Sequence, residues 1–145
     1  MQKTLIDTVV LYGALNRRDE HHGAALSIFE KMDNGNLPVG VVLDLVYAET
    51  FNALTRSLSH EDCLEAAEVL ERSAGFRVER INRDVWRASH GVYEENAHLS
   101  FVDSVLVAYA RESNVEYIYS FDTGFDSVEG VNRLKTAVNP YSPSG

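Results

Sequence analysis

The chain has 145 residues, 22 acidic and 13 basic, for a formal charge of −9 at pH 7. Its 45% hydrophobic and 24% charged residues are ordinary for a globular chain and exclude a disordered or fibrous one. A surface of that sign repels phosphate backbones, which excludes non-specific coating of nucleic acid; any nucleic-acid chemistry must be local and metal-assisted.

In chain order, Lys3–Ile6 is a short apolar run that reads as a strand and stops at Asp7, and Thr8–Leu15 reads as a helix. Residues 21–32 place Ala24, Ala25, Ile28, Phe29 and Met32 on one helical face, ended by Asn34-Gly35-Asn36. Residues 38–42 form a second strand, and 43–58 a helix through Leu43, Val46, Tyr47, Phe51, Leu54 and Leu58. Ser59 with Asp62 opens the next helix as a capping box, and Gly75 stops it. Residues 76–81 alternate apolar and charged side chains, as a strand near a sheet edge does. Asn82 caps a helix running to about Glu95, and Ser100 opens the most apolar helix, 101–110. Strands at 115–119 and 134–138 follow, with one domain spanning 1–138 and 139–145 a flexible tail. Strands alternating with helices imply parallel pairing through right-handed crossovers, hence a three-layer α/β/α sandwich around a mostly parallel sheet.

Most carboxylates lie in polar segments, where a solvated helix face explains them. Asp7, Glu49 and Asp103 instead each sit inside an apolar run, and Asp122 closes the strand before it, with Asp126 four residues on. A buried carboxylate must be neutralised, hydrogen-bonded or bound to a cation. Ligands of parallel sheets bind beyond the carboxyl ends of the strands, where Asp7 and Asp122 fall. Asp103 lies in the first turn of its helix, and Glu49, mid-helix, is expected to point inward. Converging carboxylates with no lysine beside them call for a hard divalent cation. Each acid also has a plainer reading: Asp7 as a helix N-cap, Asp103 as a capping-box acid three residues after Ser100, and Asp126 as a turn residue. Asp44 lies at a helix N-terminus, where the dipole favours an acid, and is set aside.

Four segments now stand in order: Leu5-Ile6-Asp7-Thr8-Val9-Val10-Leu11, Tyr47-Ala48-Glu49-Thr50-Phe51-Asn52-Ala53-Leu54, Leu99-Ser100-Phe101-Val102-Asp103-Ser104, and Ile118-Tyr119-Ser120-Phe121-Asp122-Thr123-Gly124-Phe125-Asp126. In that order and spacing, over nearly the whole chain, they resemble a PIN domain, the nuclease module of VapC-type toxins in toxin–antitoxin pairs. The resemblance implies a divalent-metal-dependent endoribonuclease with Asp7, Glu49, Asp103 and Asp122 catalytic. It implies Mg²⁺ or Mn²⁺ held chiefly by Asp7 and Asp103, with Asp126 as a possible fifth acid. RNA as substrate, a cognate antitoxin as partner and a homodimer follow from the same resemblance. After Asp122 the sequence departs from many relatives, with Thr123-Gly124 in place of a basic residue.

Two other functions compete with the nuclease. One is a catalytically inactive module of the same fold that binds RNA or protein, against which the intact acids count. The other is a phosphatase of the haloacid dehalogenase type, which wants a second aspartate two residues after the first, where Val9 stands. Arg72, Arg77, Arg80, Arg83 and Arg87 gather among few acids; they either hold an RNA backbone or form a solvated surface, as do Arg17 and Arg18. Trp86, Tyr93 and Phe29 fit helical core faces better than base-stacking platforms. The five histidines lack metal-ligand spacing, which argues against zinc. Cys63, the single cysteine, cannot form an internal disulfide; with no secretory address or membrane-length apolar run, the expected location is cytoplasmic.

Overall fold

The computed structural model describes residues 2–142. Five strands, β1 Lys3–Ile6, β2 Val39–Leu43, β3 Phe76–Glu79, β4 Tyr117–Tyr119 and β5 Asn132–Leu134, form one parallel sheet in the order β3-β2-β1-β4-β5. Six helices fill the connections: α1 Thr8–Leu15, α2 His22–Asp33, α3 Asp44–Ser57, α4 His60–Arg72, α5 Arg83–Glu95 and α6 Phe101–Ser113. A 3-10 turn, Thr123–Ser127, joins β4 to β5. Among the described residues no helix is long and apolar enough to cross a membrane.

The inner strands are apolar because both their faces are covered: Leu5, Ile6, Val41, Val42, Leu43, Ile118 and Tyr119 are fully buried. Charged residues alternate along β3, and β3 lies at the sheet edge as its pattern requires. Right-handed crossovers carry the chain from β1 through β2 to β3 over one face and return it to β4 over the other. Accordingly α1 packs on α2 and α3, α3 on α4, and α5 on α6, giving the α/β/α sandwich. Ser59, Asn82 and Ser100 cap their helices, accepting from the amides of Asp62, Val85 and Asp103.

The chain leaves β1 toward one edge and β4 toward the other, which makes the gap between them the switch point of the sheet. Leu5 and Ile6 pair with Ile118 and Tyr119, and the Asp7 amide extends the ladder by donating to the Tyr119 carbonyl at 3.0 Å. Residues 7 and 120–122 therefore emerge side by side.

The last strand differs from its expected 134–138. It is Asn132–Leu134, because β4 offers only three paired residues before Ser120 leaves the sheet, and nothing remains for residues beyond Leu134 to pair with. Of the expected tail, residues 143–145 lie outside the described residues. Within it, the Tyr141 hydroxyl donates to the Lys3 carbonyl and its ring meets Tyr117 edge-on.

Gly75 does more than follow a helix. A Cβ there would lie 2.1 Å from the Met32 carbonyl oxygen, so the end of α2 packs on bare backbone. Gly75→Ala is expected to cost about 1–3 kcal/mol through forced separation of α2 from β3; a denaturant midpoint equal to that of the parent would contradict this packing.

Candidate active site

Asp7 caps α1 and is 3% exposed. Its Oδ1 accepts from the Thr8 amide at 2.8 Å and its Oδ2 from the Ser120 hydroxyl at 2.6 Å. Ser120, fully buried, in turn accepts from the Asp122 amide at 3.0 Å, so one hydroxyl ties the acid after β1 to the loop after β4. Burial pushes the Asp7 carboxyl up from 3.8 to about 7, with the charges of Asp103 and Asp122 adding and the two hydrogen bonds opposing.

Asp103 is half-buried in the first turn of α6 and its amide donates to the Ser100 hydroxyl at 3.1 Å. The capping position also brings its carboxylate within the field of Asp7 and Asp122. Burial raises its carboxyl above the usual range, Ser100 holds it down, and the charges of Asp122 and Glu49 raise it further. Asp122 is exposed and accepts from the Gly124 amide at 2.8 Å, capping the 3-10 turn.

Glu49 corrects an expectation: it does not point inward but stands exposed on α3. Its charge is still felt at Asp103, while the buried position expected of it is taken by its neighbour Thr50. Asp126 is not part of the cluster. It is exposed and held in a two-pronged ion pair by Arg133 at 2.8 and 2.9 Å, which keeps its carboxyl below the ordinary value. Asp44 accepts from the Leu45 and Ile81 amides, a structural duty.

Three residues that sequence reasoning passed over assemble the site. Ser120 is one; its position two residues before Asp122, at a strand end, was the available signal. His98 Nε2 lies 3.0 Å from the Gly124 carbonyl and 3.2 Å from Ser127 Oγ, fastening the loop before Asp103 to the turn after Asp122. Arg133 Nη1 reaches the Ser120 carbonyl at 3.4 Å, bringing positive charge to the loop where Thr123-Gly124 bring none.

Among the described residues no three His, Cys, Asp or Glu side chains converge tightly enough to hold an ion by themselves. Mg²⁺ does not ask for that: it keeps several waters and takes one or two carboxylates plus substrate phosphate. Asp7 and Asp103 supply two such oxygen donors, and the mutual repulsion of Asp7, Asp103 and Asp122 is what a dication relieves. The hydroxyl of Thr8, next to Asp7, is buried without a hydrogen-bond partner, so this end of α1 has polar capacity its own chain does not use. The donor set fits a hard divalent cation.

The PIN domain family matches residues 4–131. The chain belongs to the PIN domain family. Solved PIN-like structures superpose over nearly its full length. VapC20 of Mycobacterium tuberculosis, described as a Sarcin-Ricin loop cleaving toxin, aligns at 25% identity with a TM-score of 0.70, covering 94% of this chain and 99% of that one. The VapBC2 complex of Rickettsia felis, solved with a promoter DNA fragment, aligns at 10% identity and a TM-score of 0.71, covering 92% and 98%. A toxin–antitoxin complex from Klebsiella pneumoniae aligns at 18% identity and a TM-score of 0.65, covering 89% and 95%. No curated protein matches the sequence significantly. Its structural neighbours thus include VapC toxins.

Proposed function

We propose that this PIN domain is the ribonuclease toxin of a toxin–antitoxin pair, hydrolysing RNA phosphodiester bonds with Mg²⁺ or Mn²⁺. The observation that carries the proposal is Asp7: a nearly fully buried carboxylate at the switch point, raised toward neutrality and sharing its field with Asp103 and Asp122. Asp7 and Asp103 would hold the cation, which when bound would lower the pKa of water and offset charge on the scissile phosphate. Asp7 is fixed for this duty from both sides, by the Thr8 amide and the Ser120 hydroxyl. Asp122 and Glu49, both exposed, face the solvent side of the cluster, where they orient water for in-line attack and take up its proton. Incubating a labelled structured RNA with the protein tests this: cutting with Mn²⁺ or Mg²⁺ that EDTA abolishes is expected, and no cutting of several RNAs by any metal form would contradict it.

Ser120 is a positioning residue in this scheme. Ser120→Ala removes a donor that holds the Asp7 carboxylate in place and lowers its pKa, so Mn²⁺ affinity is expected to fall about 10–100-fold. Calorimetric Mn²⁺ titration of the parent and variant measures this directly, and equal affinities would remove Ser120 from the account.

The antitoxin is proposed to seat on the helices that cover one face of the sheet. A groove of about 640 Å³ there runs between α1, α2 and the α3–α4 junction, lined by Leu15, Arg17, Leu26, Phe29, Leu58 and Val69. Its lining is apolar with charges of both signs, Arg17 and Arg18 against Asp62 and Glu65, and suits an amphipathic helix. A homodimer and a cytoplasmic location complete the proposed reading.

A further inference from the structure

We propose that the exposed aromatic face formed by Trp86, His90, Tyr93 and Phe101 is the platform on which an unpaired base of the RNA substrate stacks. The proposal deepens the ribonuclease reading and rests on it.

The expectation that Trp86 and Tyr93 belong to a core face is overturned: they are 46% and 50% exposed, and only Phe29 of the three is buried. The core face of α5 is filled by Val85, Ser89 and Val92, so its aromatic residues have no place inside. They line a separate stripe, Arg83, Trp86, His90 and Tyr93, at helical spacing, with Arg87 beside it. Phe101, the first residue of α6, joins them. Its ring centroid lies 5.3 Å from Trp86, 5.1 Å from His90 and 5.7 Å from Tyr93, with the planes at steep angles. Edge-to-face packing of this kind holds the rings in place while leaving faces open.

Charge selects the occupant. In a chain of net charge −9, Arg83 and Arg87 lie within one turn of Trp86 and are exposed, while of the acids of this helix Asp84 projects from another face and Glu94 and Glu95 stand at its far end. Neither takes part in an ion pair among the described residues, whereas Arg72, Arg77 and Arg133 do. Open aromatic faces with uncommitted guanidinium groups beside them match a single-stranded backbone with its bases splayed. Position supports the assignment too. Phe101 and Asp103 both belong to the first turn of α6, so the platform lies at the same end of that helix as the acids, on a different face of it. Stacking reads no base edge, so what the platform demands is a base free of pairing, in a loop, a bulge or a single strand.

Trp86 is the only tryptophan of the chain, so its fluorescence reports on this face alone. The test titrates the Asp7→Asn protein, which does not cut, with a labelled single-stranded RNA and with the same sequence as a duplex. Emission is followed alongside the anisotropy of the label. Saturable quenching with the same midpoint as the anisotropy is expected for the single strand, and less for the duplex. Trp86→Leu is expected to weaken single-strand binding about tenfold and Trp86→Phe less; in the cutting enzyme the loss falls on KM more than on kcat. RNA that binds without moving the emission, or as tightly to Trp86→Leu, overturns the platform and leaves the ribonuclease reading intact. A Trp86→Leu protein that turns from dimer to monomer in light scattering also overturns it and gives the face to a second copy. RNA that does not bind at all overturns both readings. Should Trp86→Leu fail to fold, the emission of the tryptophan-containing protein still decides.

Discussion

Asp7→Asn and Asp103→Asn are each expected to lower metal-dependent RNA cleavage by about 10³-fold or more while leaving the fold intact. Each change removes one anionic ligand and keeps the side chain's shape. The lost cation supplied several kcal/mol of transition-state stabilisation, and about 4 kcal/mol corresponds to three decades in rate. Asp126→Asn is the matched control. Asp126 sits close along the chain but is committed to Arg133, outside the cluster, so its loss is expected to leave cleavage within about threefold of the parent, since an exposed ion pair contributes little. Cleavage rates of the three variants under one set of conditions check this. Equal losses in all three would mean that the acids act through general charge rather than as ligands.

The second large effect concerns stability without metal. An acid whose folded pKa is raised contributes stability that is complete below its unfolded pKa and is lost as pH rises through its folded one. For Asp7 that window runs from 3.8 to about 7, because the buried carboxyl resists ionising. At about 1.4 kcal/mol for each unit, the penalty at neutral pH is on the order of 4 kcal/mol as an upper bound. Asp7→Asn is therefore expected to melt higher than the parent at pH 8 in EDTA, by several degrees, with the difference shrinking toward pH 4. Saturating Mn²⁺ reverses the order, because only the parent gains binding energy, and gains more of it as pH rises and the carboxylate is freed of its proton. Melting curves from pH 4 to 8, with EDTA and with Mn²⁺, measure both. A difference between the two proteins that does not change with pH would contradict a raised Asp7.

Much of this was legible because burying charge is costly. An aspartate between Ile6 and Val9, at the end of a fully apolar strand, has few places to go, and its position at the carboxyl end of β1 followed from strand direction alone. Asp122 was legible on the same ground. Asp103 was readable as a cap and as a site acid; it lies in the capped first turn of α6, with its carboxylate in the field of Asp7 and Asp122. Glu49 was misread in its orientation. Its apolar neighbours pointed it inward, yet a helix places adjacent residues on different faces, and Thr50 took the buried one.

What remained illegible depends on contacts distant in sequence. Ser120 matters through a hydrogen bond to a residue 113 positions away, and a serine at a strand end announces nothing by itself. Arg133 and His98 act across the loops they join. The last strand was misplaced because its length is set by β4, which stops when Ser120 turns into the site. Trp86 and Tyr93 follow a helical period, but α5 has two apolar stripes, and periodicity does not say which one the sheet covers.

The central claim is that Asp7 and Asp103 share one divalent cation. Anomalous diffraction from crystals grown with Mn²⁺ tests it most directly. The account predicts one manganese peak with oxygens of both carboxylates within about 2.5 Å, and no such peak in Asp7→Asn crystals grown in the same way. A peak held by other residues, or none at a Mn²⁺ concentration that supports cutting, would contradict it.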